Sequence, residues 1–314
     1  KRQQQESLAV HQHTFGNVAK KWFEIKKDDI TADYAVDIWR SLELYVFPSI
    51  SKVPVSAITA PQIIELLKPI EAKGSLETVK RLSQRLNEIM NFATNCGFIQ
   101  ANPLVGIKAA FKKPKKENMA ALKPAELPEL MGAIANASIK RTTRCLIEWQ
   151  LHTMTRPSEA SGAMWKEIDI ESKVWTIPSE RMKKRRDQRI PLTDQMLAIL
   201  EVMKPISGHR EFVFPSDRDP KKPCNSQTAN MALKRMGFAG RLVSHGLRSL
   251  ASTTLNEQGF DRDLIEAALA HVDDNQVRSA YNRTDYLERR RPMMNWWNSK
   301  IKEASEGSLS VTEA

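Results

Sequence analysis

The chain has little of what usually betrays a protein's chemistry. Three cysteines, Cys96, Cys145 and Cys224, are scattered among 314 residues. An odd, dispersed set excludes a disulfide framework and suits a reducing compartment. No apolar run reaches the roughly eighteen residues of a membrane span. The opening KRQQQESLAV lacks the apolar stretch and small-residue cleavage site of a secretory signal. CxxC and HExxH pairs are missing, as is any carboxylate cluster, so no metal site is expected. No Gly-rich loop of the P-loop or dinucleotide type is found, and no segment repeats. Only four tyrosines and six histidines occur.

What the chain does have is positive charge. Its net charge is +11, in a composition 41% hydrophobic and 27% charged, which is that of a soluble globular protein. Residues 1–118 carry 18 Lys and Arg against 12 Asp and Glu, and residues 119–314 carry 30 against 25. A basic tail would load one end; here both halves are basic, as two domains facing one polyanion would be, and nucleic acid is the natural candidate.

Two domains of ordinary size fit this length. In TFGNVAKKWFEIKK, Phe15, Val18, Trp22 and Ile25 recur at helical spacing behind Thr14, a candidate N-cap. Tyr34, Ile38, Leu42 and Tyr45 repeat the pattern, Pro61 suits the first turn of a helix through Leu67, and Ser75 can cap one from Leu76 to Asn95. GIKAAFKKPKKEN follows, with Lys108, Lys112, Lys113, Lys115 and Lys116 around Pro114, a flexible connector whose lysines suit a phosphate backbone. Helices are expected at 125–136, 139–154 and 194–203, short strands at Lys166–Ile170, Lys173–Pro178 and Gln188–Leu192, and mostly helix from there to Ile301. The fold class is mainly α with a small antiparallel β-sheet: a helical domain over residues 12–106, a basic linker over 107–121 and an α+β domain over 122–303. Residues 1–11 form an N-terminal extension, and 304–314 a flexible tail.

Four stretches place unusual polar residues in otherwise regular patterns. TMTRPSEA puts Arg156 at a helix junction with Glu159 three residues on, an arrangement that also suits an ordinary surface pair. WTIPSERMKKRRDQRIPL places Arg181, Lys183, Lys184, Arg185, Arg186 and Arg189 around a turn between strands. A lysine there can donate a proton where arginine cannot, though charge alone does not separate Lys183 from Lys184. SHGLRS sets His245 and Arg248 three apart at a helix start, on one side of it. LAHVDDNQVRSAYNR carries His271 and Tyr281, with Tyr286 as a competing tyrosine.

Such a set is chemically complete for phosphodiester transfer. Two guanidiniums can clamp non-bridging oxygens. A tyrosine hydroxyl beside cations can become a nucleophile. A lysine can protonate the departing oxygen.

The order Arg156, Lys183, His245-x-x-Arg248, His271, Tyr281 resembles that of the tyrosine recombinases, the lambda-integrase superfamily, over residues 12–300. LAHVDDNQVRSAYNRTDYLERRRPMMNWW is similar to the end of prophage and genomic-island integrases. The resemblance implies a helical core-binding domain and a catalytic domain clamping a duplex attachment site from opposite sides. Tyr281 would be the nucleophile of a 3′-phosphotyrosyl intermediate, with Arg156, Arg248, His245 and His271 around the phosphate. The lysine after Met, Lys183, would be the general acid, and Glu159 would support the site. Lys108, Lys112, Lys113, Lys115, Lys116, Lys184, Arg185 and Arg186 would meet the DNA backbone. No cofactor or metal is implied, because the phosphotyrosyl link stores the bond energy. The implied assembly is a homotetramer on DNA, joined by a directionality factor (an excisionase) and a host DNA-bending protein, in the bacterial cytoplasm and at the nucleoid when bound. Relatives usually have His where Gln188 stands and carry an arm-binding domain, of which residues 1–11 would be the linker remnant. A type IB topoisomerase or an inactive DNA-binding factor of the same fold is the alternative.

Overall fold

The computed structural model describes residues 13–115, 118–271 and 285–306. They fall into two compact units divided between residues 117 and 118, each with its own apolar core.

The first unit is helical: α1 (Phe15–Lys26), α2 (Ala32–Tyr45), the single turn α3 (Phe47–Ile50), α4 (Ala60–Ala72) and α5 (Leu76–Asn95). Its core takes one stripe from each long helix: Phe15, Val18 and Trp22; Ile38 and Leu42; Ile63 and Leu67; Leu82, Leu86 and Ile89. Thr59 caps α4, its hydroxyl accepting from the Gln62 amide at 3.4 Å, and Pro61 lies in the first turn, where no amide is needed. Gly16 is required by contact: a Cβ there would stand 2.7 Å from Ser51 Oγ.

Two departures from the sequence pattern concern where an apolar stripe stops. Ile25 is 61% exposed, and Tyr34 and Tyr45 are 38% and 40% exposed, because α1 and α2 run past the core at their ends. The lysine-rich stretch also begins as part of the first unit rather than as a linker. Ile107 and Phe111 are buried in its core, while Lys108, Lys112, Lys113 and Lys115 stay exposed. Lys116 lies outside the described residues.

The second unit is built around α7. Its helices are α6 (Leu127–Asn136), α7 (Arg141–Thr153), α8 (Pro157–Ser161), α9 (Asp194–Ser207), α10 (Thr228–Leu233), α11 (Gly246–Glu257), α12 (Arg262–Ala268) and α13 (Leu287–Ala304). Every α7 residue from Cys145 to Thr153 is buried, so this helix is covered on all sides. Strands β1 (Ile168–Asp169), β2 (Val174–Ile177) and β3 (Gln188–Pro191) form an antiparallel sheet in the order β1-β2-β3. Trp175 pairs with Ile190 and Ile177 with Gln188, and the Trp175 ring lies 5.0 Å from that of Trp149 on α7. β1 is shorter than expected because Trp165–Glu167 coils into a 3-10 turn that buries the Glu167 carboxylate.

Candidate active site

Arg156 and Glu159 are fixed by the start of a helix. Pro157 opens α8, leaving Arg156 as its extended N-cap. Glu159 curls back, one carboxylate oxygen accepting from the Arg156 backbone amide at 2.8 Å and the other from its Nη1 at 2.8 Å. The remaining guanidinium face reaches the Ala270 carbonyl, 3.3 Å from Nη2. Glu159 is only 3% exposed, so this is no ordinary surface pair.

The His245 loop is clipped to the central helix. Gln150 on α7 donates to the Ser244 carbonyl at 2.9 Å and accepts from its hydroxyl at 2.9 Å, and the Ser244 amide donates to Asn230 Oδ1 at 3.0 Å. Gly246 fits only because it lacks a Cβ, which would stand 2.2 Å from the Ala120 carbonyl. One turn on, Arg248 is 3% exposed. Its guanidinium donates to the carbonyls of Met154 and Leu269, and Nη2 lies 3.4 Å from His271 Nε2.

Backbone geometry brings the carbonyls round these guanidiniums. Met154, just past α7, and Ala270, just past α12, are left-handed at φ 55° and 49°. Side chains rarely adopt this conformation, and each occurrence costs on the order of 1 kcal/mol. The two turns point the Met154 carbonyl at Arg248 and the Ala270 carbonyl at Arg156. His271 is oriented by Glu266: Nδ1 lies 2.7 Å from that carboxylate, so Nδ1–H donates to it and Nε2 is left to accept from Arg248. Gln188 on β3 donates to the Ala267 carbonyl at 2.8 Å, tying the end of α12 to the sheet.

The electrostatics follow. Burial first, and then the Arg156 cation, hold the Arg248 guanidinium down to about 10. It stays charged at neutral pH, held by carbonyl dipoles rather than by a carboxylate of its own. Burial, then Arg248 and Arg156, push the His245 imidazole below its ordinary 6.5. Arg156, Glu159, His245, Arg248 and His271 thus gather where the ends of α7 and α12 meet the starts of α8 and α11. Two fixed guanidiniums beside two imidazoles are suited to an anion that gains charge during reaction.

Lys183 and Lys184 belong to this unit as well. With Arg185 and Arg186 they are exposed on the β2–β3 turn, and among the described residues neither lysine is hydrogen-bonded to the cluster. Tyr281 lies outside the described residues. Tyr286, the competing tyrosine, packs against the core, with the Arg289 guanidinium 5.1 Å from its ring centre. Gln150, Met154, Ala270 and Gln188 hold the cluster in place, yet sequence alone offered no sign of the first three in this role. Two of those act through backbone carbonyls, which carry no side-chain signal.

Residues 120–288 match the model of the phage integrase family, and residues 15–110 that of the phage integrase central domain. The chain belongs to the phage integrase family. It is a site-specific tyrosine recombinase, an enzyme that cleaves and rejoins DNA strands. Over 312 residues it is 54% identical to prophage integrase IntA of Escherichia coli strain K12, covering 99% of this chain and 76% of that protein. The integrase of Enterobacteria phage P4 is 32% identical over 91% of this chain and 68% of its own length. Lambda integrase, in the structure of a dimer bound to a COC′ core site, shares the fold: TM-score 0.69, 21% identity, 83% of this chain and 96% of that one. The Tn1549 transposon integrase in complex with circular intermediate DNA superposes with a TM-score of 0.66 at 15% identity, over 89% of this chain and 99% of that one. Among the described residues no helix is long and apolar enough to cross a membrane.

Proposed function

We propose that this integrase cuts each strand of a duplex attachment site by attack of Tyr281 on the scissile phosphate. The Tyr281 hydroxyl gives its proton to an imidazole of the cluster, and its oxygen bonds to phosphorus. The P–O5′ bond breaks with its electron pair on O5′, leaving a 3′-phosphotyrosyl link and, once O5′ is protonated, a free 5′-hydroxyl. Arg156 and Arg248 hold the non-bridging oxygens, with His245 and His271 against the same phosphate. Lys183 gives its proton to the leaving 5′ oxygen, and Glu159 keeps Arg156 aimed. Attack by a partner strand's 5′-hydroxyl reverses the chemistry, and the link conserves the bond energy, so rejoining needs no nucleotide.

The observation that carries this reading is the buried Arg248 guanidinium, anchored by carbonyls beside Arg156 and His271. A cation set so close to another is relieved by an anion, and a transferring phosphoryl group is the anion whose charge grows. The first unit and its exposed lysines, Lys108, Lys112, Lys113 and Lys115, contact the DNA backbone. Four protomers on two sites exchange strands in pairs; lambda integrase, of the same fold, is seen as a tetramer bound to a Holliday junction. Integration or excision of a prophage or genomic island is the overall outcome, with an excisionase and a DNA-bending protein setting direction.

A nicked suicide substrate containing the attachment site tests the nucleophile. Tyr281→Phe abolishes the covalent adduct and leaves duplex binding unchanged, while Tyr286→Phe still forms it. Adduct from the Tyr281 variant, with none from the Tyr286 variant, would reverse the assignment.

A further inference from the structure

Arg181 stands two residues before Lys183, yet it is no part of the solvated tip. Its side chain is 18% exposed and reaches in under α8. Nη1 donates to both oxygens of Glu167, whose own side chain is 4% exposed, and Nη2 donates to the backbone carbonyl of Glu159 at 2.9 Å. Glu167 is fully engaged, accepting also from the Trp175 indole at 3.0 Å and the Met164 amide at 3.1 Å. Gly162 leaves the space: a Cβ there would stand 2.7 Å from Arg181 Nη2.

The same residue forms the root of the lysine turn. Arg181 closes a 3-10 turn over Ser179–Arg181, Met182 behind it is 5% exposed in the core, and the chain emerges only at Lys183. The far side is fastened by Asp187, which accepts from the Ser179 amide at 2.8 Å. About 7 Å of backbone thus separates Lys183 from a buried anchor. That anchor grips the carbonyl of the residue whose carboxylate holds Arg156.

We infer that Arg181 is a positioning residue for strand cleavage, setting the Lys183 turn in register with the Arg156–Glu159 shelf through Glu167 and the Glu159 carbonyl. This rests on the reading of Lys183 as the general acid. The two groups it connects act on different oxygens of one phosphate: Arg156 on a non-bridging oxygen, Lys183 on the 5′ oxygen that takes the electron pair of the breaking bond and a proton with it. A general acid about 1 Å out of place can lose on the order of a hundredfold in rate.

The test separates positioning from mere folding by a ratio taken within one protein. Arg181→Met is combined with Glu167→Gln, so that no lone carboxylate is left buried. Arg181→Lys and Lys183→Ala are made alongside. Each is assayed in single turnover on suicide substrates with either an oxygen or a sulfur at the scissile 5′ position, because a thiolate leaves without a proton. The sulfur-to-oxygen rate ratio is insensitive to the fraction of folded protein. Lys183→Ala should raise that ratio by about a hundredfold, the scale of a lost general acid. The Arg181 double variant should raise it by at least about tenfold, and Arg181→Lys should fall between it and wild type. Adding Lys183→Ala to the double variant should raise the ratio no further than Lys183→Ala alone. If Lys183→Ala raises the ratio but the Arg181 double variant leaves it at the wild-type value, the positioning role is overturned while the general acid stands. If Lys183→Ala itself fails to raise the ratio, the general-acid reading falls, and the Arg181 role with it.

Discussion

Arg248 is the costliest side chain of the cluster. It is 3% exposed and a neighbour to Arg156, and the chain places left-handed turns so that carbonyls can face both guanidiniums. A fold tolerates such a charge when the ligand repays it, and the gain is greatest in the transition state. Lysine carries the same charge but a single point donor, so Arg248→Lys cannot span Met154, Leu269 and a phosphate oxygen together. We expect single-turnover cleavage by Arg248→Lys to fall by roughly a hundred- to a thousandfold, with duplex affinity nearly kept. Equal losses in binding and cleavage would place Arg248 in general DNA affinity instead. At this scale the sequence was most legible where roles sit on side chains with local grammar, as in Arg156-Pro157-x-Glu159. It was least legible for Arg181, which read as one more charge on a basic turn. Its partner Glu167 stands fourteen residues away, and its other partner is a carbonyl.

Among the elements, α7 does most of the positioning, and it is pinned to α13 by a buried polar knot. His152 donates from Nδ1 to Asn298 Oδ1 at 2.6 Å, Thr193 donates to the same oxygen at 2.8 Å, and Asn298 Nδ2 returns to the His152 carbonyl at 3.2 Å. Burial pushes the His152 imidazole down from 6.5 to about 4, so it is neutral in the folded protein. Unfolding frees it to take a proton, so this contribution is whole above pH 6.5 and is lost as pH falls from 6.5 toward 4. The span is worth about 3 kcal/mol at 1.36 kcal/mol per unit. His152→Gln should therefore lower stability at pH 7 but flatten the fall between pH 6.5 and 4 by close to one proton, read from denaturant melts across that range. A slope identical to wild type would mean that His152 titrates as it does in the unfolded chain. Helix periodicity made α1, α2, α5 and α9 readable from sequence, because their buried faces recur every three to four residues. Their ends were less readable, since a stripe can outrun the core as it does at Ile25. His152 and Asn298 carry no such signal: each looks like a polar residue in a helix until the partner, 146 positions away, is known.

Taken whole, the molecule is two cores bearing charge of one sign, +6 over residues 1–118 and +5 over the rest. Neither excess is offset by the other, which is the distribution expected of units that share a polyanion. The change from purely helical to mixed patterning marked two units in the sequence. The edge was harder to place, because lysine-rich composition hid Ile107 and Phe111, which belong to the first core. In the proposed reaction one tyrosine carries the DNA. Wild-type protein trapped on a nicked attachment-site substrate, digested with protease and nuclease, and sequenced by mass spectrometry, tests it most directly. The nucleotide remnant should sit on Tyr281, in the peptide that follows His271. A remnant on Tyr286, or on any residue other than Tyr281, would rule out Tyr281 as the nucleophile.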